Sequence, residues 1–258
     1  MKLQFYRKSR KVYAMLIDSL EQLNSYLANE PVDFYDVGCG HGGSIEWVKK
    51  KFNLELGLGF EISVEKAKSA SKNGHVVTTL PYQTLEVLKR VYATTFLHCL
   101  EHVSQRHVVQ ELVFKAVNVS SGIVYIRQPF FDADELLSNM GLKLYWSTWL
   151  GHPNRMKTAD FEELLRNDDM NQKISEYFIY GRTPILDASD ECVTSILEEP
   201  NFSPKTSQPL FKKNYEKFSF PVYREVVVVI LPVGSKMKVK NLLKFHGDIQ
   251  LLHQKNEL

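Results

Sequence analysis

Residues 34 to 43 read Phe34-Tyr35-Asp36-Val37-Gly38-Cys39-Gly40-His41-Gly42-Gly43: an apolar stretch carrying an acid, a glycine-rich turn, then the opening of a helix. Glycines at alternating positions let the chain turn tightly. They also bring backbone N–H groups against a ligand at a helix N-terminus, where the macrodipole favours negative groups. This is the chemistry of a nucleotide-type cofactor loop. Three histidines further along, His98, His102 and His152, are candidate proton acceptors because imidazole titrates near neutral pH.

Two ligands compete for the loop. Gly38, Gly40 and Gly43 satisfy G-x-G-x-x-G, which binds the pyrophosphate of a dinucleotide. Asp36 argues the other way, because a carboxylate at the strand end repels a pyrophosphate and suits a ligand bearing an ammonium. S-adenosylmethionine carries an ammonium beside a carboxylate and a sulfonium. The segment His98-Cys99-Leu100-Glu101-His102 is also a literal H-x-x-E-H, the inverted zinc-peptidase motif, with Glu176 available as a downstream carboxylate. Zinc would want both histidines on one helix face, whereas this segment follows a strand, and no metal is expected.

The elements that must position these groups alternate. A helical pattern through Tyr13, Leu16, Ile17, Leu20, Leu23 and Leu27 ends at Asn29-Glu30-Pro31. Beyond the glycine loop the pattern predicts a helix over 44–52, a second strand over 54–62 and a helix capped by Ser63 that stops at Asn73-Gly74. A strand over 75–79, a short helix over 84–90, a strand over 91–97, a helix over 106–117 and a strand over 122–127 follow. Such alternation implies a parallel sheet with right-handed crossovers, whose ligands bind beyond the carboxyl ends of the strands. Asp36, Glu61, Leu80 and the 98–102 segment all fall there.

The remainder differs in character. Helices are expected over 132–140, closed by Gly141, and from a Thr158 cap through Leu165. Between them lies an aromatic and polar loop, 145–156. Its Trp146, Trp149 and Arg155, with Lys157, could stack on a sugar or base, or serve as a packed lid over the cofactor. Runs over 174–180 and 222–231 are β-rich. The stretch between them holds five of the ten prolines, Pro184, Pro200, Pro204, Pro209 and Pro221. We read an antiparallel hairpin with a long insertion. Lys205, Lys212, Lys213 and Lys217 with Phe211, Tyr215, Phe218 and Phe220 could bind RNA, although a solvated arm pinned by aromatics suits them better.

The chain of 258 residues is 44% hydrophobic and 24% charged, large enough for one substantial core with additions. A net charge of +2 makes no electrostatic case for nucleic acid or a membrane, and no run approaches membrane-spanning length. Cys39, Cys99 and Cys192 are widely spaced, giving neither a disulfide framework nor a zinc knuckle, so a cytoplasmic protein is expected.

Taken together, Asp36 to Gly42, Glu61 after the second strand and Leu100-Glu101-His102 after the fourth resemble class I S-adenosylmethionine-dependent methyltransferases, nearest the ubiquinone-biosynthesis-type group, over about residues 30 to 180. The resemblance implies S-adenosylmethionine as cofactor and a Rossmann-like three-layer α/β sandwich, mainly parallel, with an antiparallel C-terminal hairpin carrying the insertion. It implies that Gly38, Cys39, Gly40 and Gly42 line the methionine and ribose, with Asp36 near the ammonium and Glu61 accepting from the ribose hydroxyls. Ile62, Thr79 and Leu80 would flank the adenine, and His98 would lie nearest the methyl. Thr78-Thr79-Leu80 departs from the family, which often has an acid there for the adenine amino group.

The organisation expected is a helical cap over 1–30, a methyltransferase core over 31–181 including a lid over 130–157, an insertion over 182–221, a final sheet strand over 222–235 and a polar tail over 236–258. The function expected is methyl transfer to an oxygen or nitrogen of a small molecule or glycan. His98, His102 and His152 are the catalytic candidates, and Trp146, Trp149, His152 and Arg155 the substrate-side ones. An RNA or protein acceptor, a non-catalytic binding subunit and the zinc peptidase are the alternatives.

Overall fold

A computed structural model describes residues 14–86, 88–204, 217–239 and 249–255. The chain forms two compact units, Met1–Val87 and Leu88–Leu258.

The first unit is a run of strand–helix repeats: β1 (Met15–Ile17), α1 (Leu20–Asn29), β2 (Phe34–Val37), α2 (Gly43–Phe52), β3 (Gly57–Phe60), α3 (Val64–Lys72) and β4 (Val76–Thr78). All three strand pairings are parallel, in the order β1, β4, β3, β2. All of β2, β3 and β4 is buried, which explains why the alternation read over 54–62 shrinks to four residues: a parallel strand covered on both faces need not alternate. Ser63 caps α3 as expected, its hydroxyl accepting from the Lys66 N–H at 3.4 Å. Gly74 ends that helix with φ +97°.

The helical cap expected over 1–30 needs correction. Leu16 and Ile17 belong to β1, paired with Val77 and Thr78, and the helix begins only at Leu20, after Ser19 accepts from the Gln22 N–H. Ladder hydrogen bonds with β4 override the local helical period of Leu16 and Ile17, while Tyr13 and the residues before it lie outside the described residues. The short helix expected over 84–90 is a single 3₁₀ turn, Tyr82–Thr84. Buried Tyr82 packs edge-on against Phe60 at 5.0 Å and Tyr35 at 6.2 Å, and this draws the segment inward.

The second unit contains β5 (Val91–Leu97), α4 (Arg106–Val119), β6 (Ser120–Pro129), α5 (Asp134–Asn139), β7 (Leu142–Leu144), α6 (Thr158–Arg166), α7 (Asp168–Asn171), β8 (Ile174–Pro184), β9 (Val193–Ser195), β10 (Tyr223–Pro232) and β11 (Ile249–Gln254). Strand β5 pairs with β6 in parallel. From β6 onward the pairing is antiparallel, in the order β6, β10, β8, β11. The hairpin of β8 and β10 is thus present, with the 182–221 stretch between its strands. Within that stretch, β9 pairs with β7, a two-stranded ribbon the sequence did not suggest.

Two further corrections follow. The polar tail over 236–258 supplies β11, so the strand over 222–235 is not the last in the sheet: Ile249 and Leu251 pair with Arg182 and Tyr180. Thr158 is the first residue of α6 rather than its cap. Its N–H and hydroxyl both donate to the Asp132 carboxylate, while Asp160 accepts from the Lys157 N–H at 2.7 Å. Lys205, Phe211, Lys212, Lys213 and Tyr215 of the RNA-binding possibility lie outside the described residues. No helix among the described residues is long and apolar enough to cross a membrane.

Candidate active site

In the first unit the glycine loop joins the end of β2 to α2. Gly38, Gly40 and Gly42 all have left-handed φ, at +76°, +55° and +93°. This is a conformation that L side chains resist. Gly42 is doubly constrained, since a Cβ there would stand 2.2 Å from the His75 ring. Gly43 has no such constraint: a Cβ on it meets nothing within 4 Å. The third glycine of a dinucleotide fingerprint exists for close helix–strand packing. Here that role is absent at Gly43, so the G-x-G-x-x-G match is a coincidence of composition.

Asp36 and Glu61 hold the loop from two sides. Asp36 is fully buried, with its Oδ2 2.5 Å from the Ser44 hydroxyl, which itself lies 3.1 Å from the Cys39 carbonyl. The acid therefore braces the loop from beneath. Glu61 follows β3. Its Oε2 accepts from the Gly40 N–H and its Oε1 from the Ser63 N–H, each at 2.9 Å. A carboxylate has about four lone-pair positions, so two remain for an outside donor pair such as a vicinal diol. A Cβ at Gly40 would meet nothing within 4 Å, which leaves the backbone there open to close approach. Cys39 is buried, its side chain packing where a Cβ on Gly59 would lie and its thiol donating to the Gly40 carbonyl at 4.0 Å. Ile62 is 79% exposed, and Thr79 and Leu80 are half-buried beyond β4.

In the second unit a cavity of about 540 Å³ is walled by His98, Glu101, His102, Trp146, Trp149 and His152, among others. His98 follows β5 with a left-handed φ of +53°, an uncommon conformation for a side-chain-bearing residue that marks functional positions. Its Nε2 lies 2.8 Å from Glu225 Oε1 and its Nδ1 3.3 Å from Glu101 Oε1. Burial alone would lower its pKa, but the pairing with Glu101 and Glu225 outweighs this and holds it at about 9. Burial likewise opposes ionisation of Glu225, yet His98, Arg127 and Arg182 bring its pKa down to about 2. Raised in this way, His98 favours the imidazolium at neutral pH, a form that holds a proton rather than accepting one. Glu225→Gln should move the His98 titration, followed by NMR, down from about 9 toward the ordinary value; a His98 midpoint indifferent to this change would contradict the pairing.

His102 and His152 stand differently. Their ring centroids are 5.1 Å apart, with His102 Nδ1 2.6 Å from the Gly151 carbonyl and His152 Nδ1 3.1 Å from that of Trp146. Each Nδ1 therefore carries a proton, and a neutral ring keeps its lone pair on Nε2. Burial lowers the pKa of His152 and keeps it neutral. The aromatic loop is a fixed wall rather than a loose lid. Trp146 Nε1 donates to Phe130, Trp149 Nε1 to Phe202 and Asn154 Nδ2 to Leu100. Arg155 borders an adjoining groove, with Ser104, Arg106 and Pro153, that shares Trp149 and His152 with this cavity.

The zinc-peptidase geometry is absent. Residues Leu100–His102 form a 3₁₀ turn rather than a helix carrying both histidines, and His98 is held by two carboxylates. Glu176 pairs with Leu231 near the start of β8, about 20 Å along the strand from the cavity residue Arg182. Glu225 was missed by sequence reasoning. Its signal was a charged pair, Arg224-Glu225, opening an otherwise valine-rich strand.

No protein-family model and no curated protein matches the chain. Among solved structures it is similar to an S-adenosylmethionine-dependent methyltransferase from Archaeoglobus fulgidus, at 15% identity and TM-score 0.53, covering 82% of this chain and 90% of that one. It is also similar to the magnesium protoporphyrin IX methyltransferase from Synechocystis with bound S-adenosylmethionine, at 13% identity and TM-score 0.42, covering 82% and 77%. The plantazolicin methyltransferase in complex with S-adenosylhomocysteine matches at 17% identity and TM-score 0.47, over 81% and 80%. The Archaeoglobus likeness establishes the fold: this chain has the Rossmann-like fold of class I methyltransferases, with antiparallel strands on its C-terminal side.

Proposed function

We propose that this protein is an S-adenosylmethionine-dependent methyltransferase acting on an oxygen or nitrogen of a small molecule or glycan. The observation that carries the reading is Glu61, a nearly buried carboxylate tied to the loop through Gly40 and to α3 through Ser63, with lone pairs left for a ribose diol. The three left-handed glycines and the buried acid Asp36 complete a loop suited to a ligand with an ammonium. Bound S-adenosylmethionine supplies an electrophilic methyl on a sulfonium. The protein's remaining work is to orient the acceptor, an effect that contributes about 7 to 11 kcal/mol when geometry is well held.

The cavity of the second unit fits that acceptor role. Its walls combine Trp146 and Trp149, which suit a sugar or ring face, with neutral His152, whose free lone pair can orient or take the acceptor's proton. The cavity guanidiniums are committed to protein acids, Arg182 to Glu225 and Arg224 to Asp190 and Glu191, which favours a neutral acceptor over a nucleic-acid backbone. Incubating the protein with S-adenosylmethionine and a panel of hydroxylated and amino small molecules and glycans, with release of S-adenosylhomocysteine as readout, tests the reading. His152→Ala should leave cofactor affinity unchanged and lower turnover by about 100-fold or more, the scale of a lost proton-transfer group. Unchanged turnover would remove His152 from this role.

A further inference from the structure

Glu101 is fully buried, and neither of its oxygens has a hydrogen-bond partner; His98 Nδ1 stands 3.3 Å from Oε1 without hydrogen-bond alignment. A buried carboxylate without hydrogen-bond partners calls for a physical explanation, and beside the His98 ion pair a bound ion is one that such groups have. Two imidazoles face the same point. One ligand atom from each of Glu101, His102 and His152 lies within 4.8 Å of the others.

We propose that Glu101, His102 and His152 form a binding site for a divalent first-row transition ion. Two imidazole nitrogens and one carboxylate suit zinc, iron, manganese or cobalt better than magnesium or calcium, which prefer all-oxygen shells. Ligand distances to such ions are about 2.0–2.2 Å, so each donor atom would move inward by less than about 1 Å. The second layer is already in place. The Gly151 and Trp146 carbonyls occupy the Nδ1 protons of His102 and His152, the arrangement that fixes a metal-binding histidine in its tautomer and orientation. Asn154 locks the turn bearing Glu101 to the loop bearing His152, its N–H donating to the Glu101 carbonyl at 3.2 Å and its side chain to the Leu100 carbonyl at 3.1 Å.

All three ligands line the 540 Å³ cavity, so three protein donors leave coordination positions open to a bound oxygen or hydroxyl. Under the methyl-transfer reading, the ion would lower the pKa of an acceptor hydroxyl, and the His152 lone pair would serve the ion instead of a proton. That consequence depends on the reading above; ion binding itself does not.

The test uses the untagged full-length protein, stripped with a chelator and titrated with cobalt(II) and, separately, zinc(II) alone, followed by visible absorption and calorimetry. One equivalent should bind. Glu101→Gln and His102→Asn should each weaken binding at least tenfold, about the minimum seen when only outer-shell partners are lost, whereas His107→Asn, an exposed histidine on α4, should not. Far-UV circular dichroism checks that each variant is folded, and exposed His102 keeps the test available if the Glu101 variant is not. Absence of binding to the folded parent protein, or equal affinity in His102→Asn, would overturn the site while leaving methyl transfer untouched.

Discussion

Glu61→Ala should lower affinity for S-adenosylhomocysteine by about 100-fold or more. Two hydrogen bonds from a ribose diol to a carboxylate are worth about 1.5–3 kcal/mol each, and every 1.4 kcal/mol is about tenfold in affinity. The same substitution strips the Gly40 and Ser63 N–H groups of their acceptor, loosening the loop that must present the ligand. Glu61→Gln separates the two effects. An amide can still accept from one of these N–H groups, but its NH₂ must face the other or the diol, so affinity should fall while the loop stays partly anchored. Calorimetric titration of each variant, with its thermal midpoint recorded alongside, reads both. Unchanged affinity in folded Glu61→Ala would show that the carboxylate serves only the loop.

Gly42→Ala should destabilise the protein by about 2–5 kcal/mol. A left-handed residue with a Cβ costs about 1–2 kcal/mol, and overpacking a filled site typically adds about 1–3. The clash is with His75, whose ring carbon would lie 2.2 Å from the new Cβ; φ at this position is +93°. His75 is buried, with little room to retreat. Urea unfolding of Gly42→Ala, His75→Ala and the double variant should show that truncating His75 recovers the steric part of the loss and leaves the backbone part. Gly43→Ala is the comparison. A Cβ there meets nothing within 4 Å, and replacing a glycine at the start of α2 should be neutral or slightly stabilising. Damage at residue 43 and tolerance at 42 would reverse the assignment and restore the dinucleotide fingerprint.

The repeating first unit and the strand ends bearing Asp36, Glu61 and His98 were legible because a βαβ unit writes its punctuation locally. Glycines sit where φ turns positive, Ser63 where a helix starts and Asn73-Gly74 where it stops. What the sequence hid was non-local. Leu16 and Ile17 carry a helical period, and only the neighbouring β4 makes them a strand. The lysine-containing tail becomes β11 because β8 offers it a free edge. In the second unit, His98, His102 and His152 look alike as letters, yet contacts at long sequence range give them different chemistry. Glu101 and Glu225, the latter 127 residues from His98, raise the pKa of that ring; the Trp146 carbonyl takes the Nδ1 proton of His152 and leaves a neutral ring its lone pair on Nε2. Arg155 lines a groove that adjoins the cavity at Trp149 and His152, where the loop's direction is set by Trp146, Trp149 and Asn154 reaching distant carbonyls.

We propose that the loop of Asp36, three left-handed glycines and Glu61 holds a methyl donor. Calorimetric titration of the full-length protein with S-adenosylhomocysteine and, separately, with NAD tests it most directly. One equivalent of S-adenosylhomocysteine should bind saturably, and NAD should not bind. Binding of NAD, or of neither ligand by the folded protein, would contradict it.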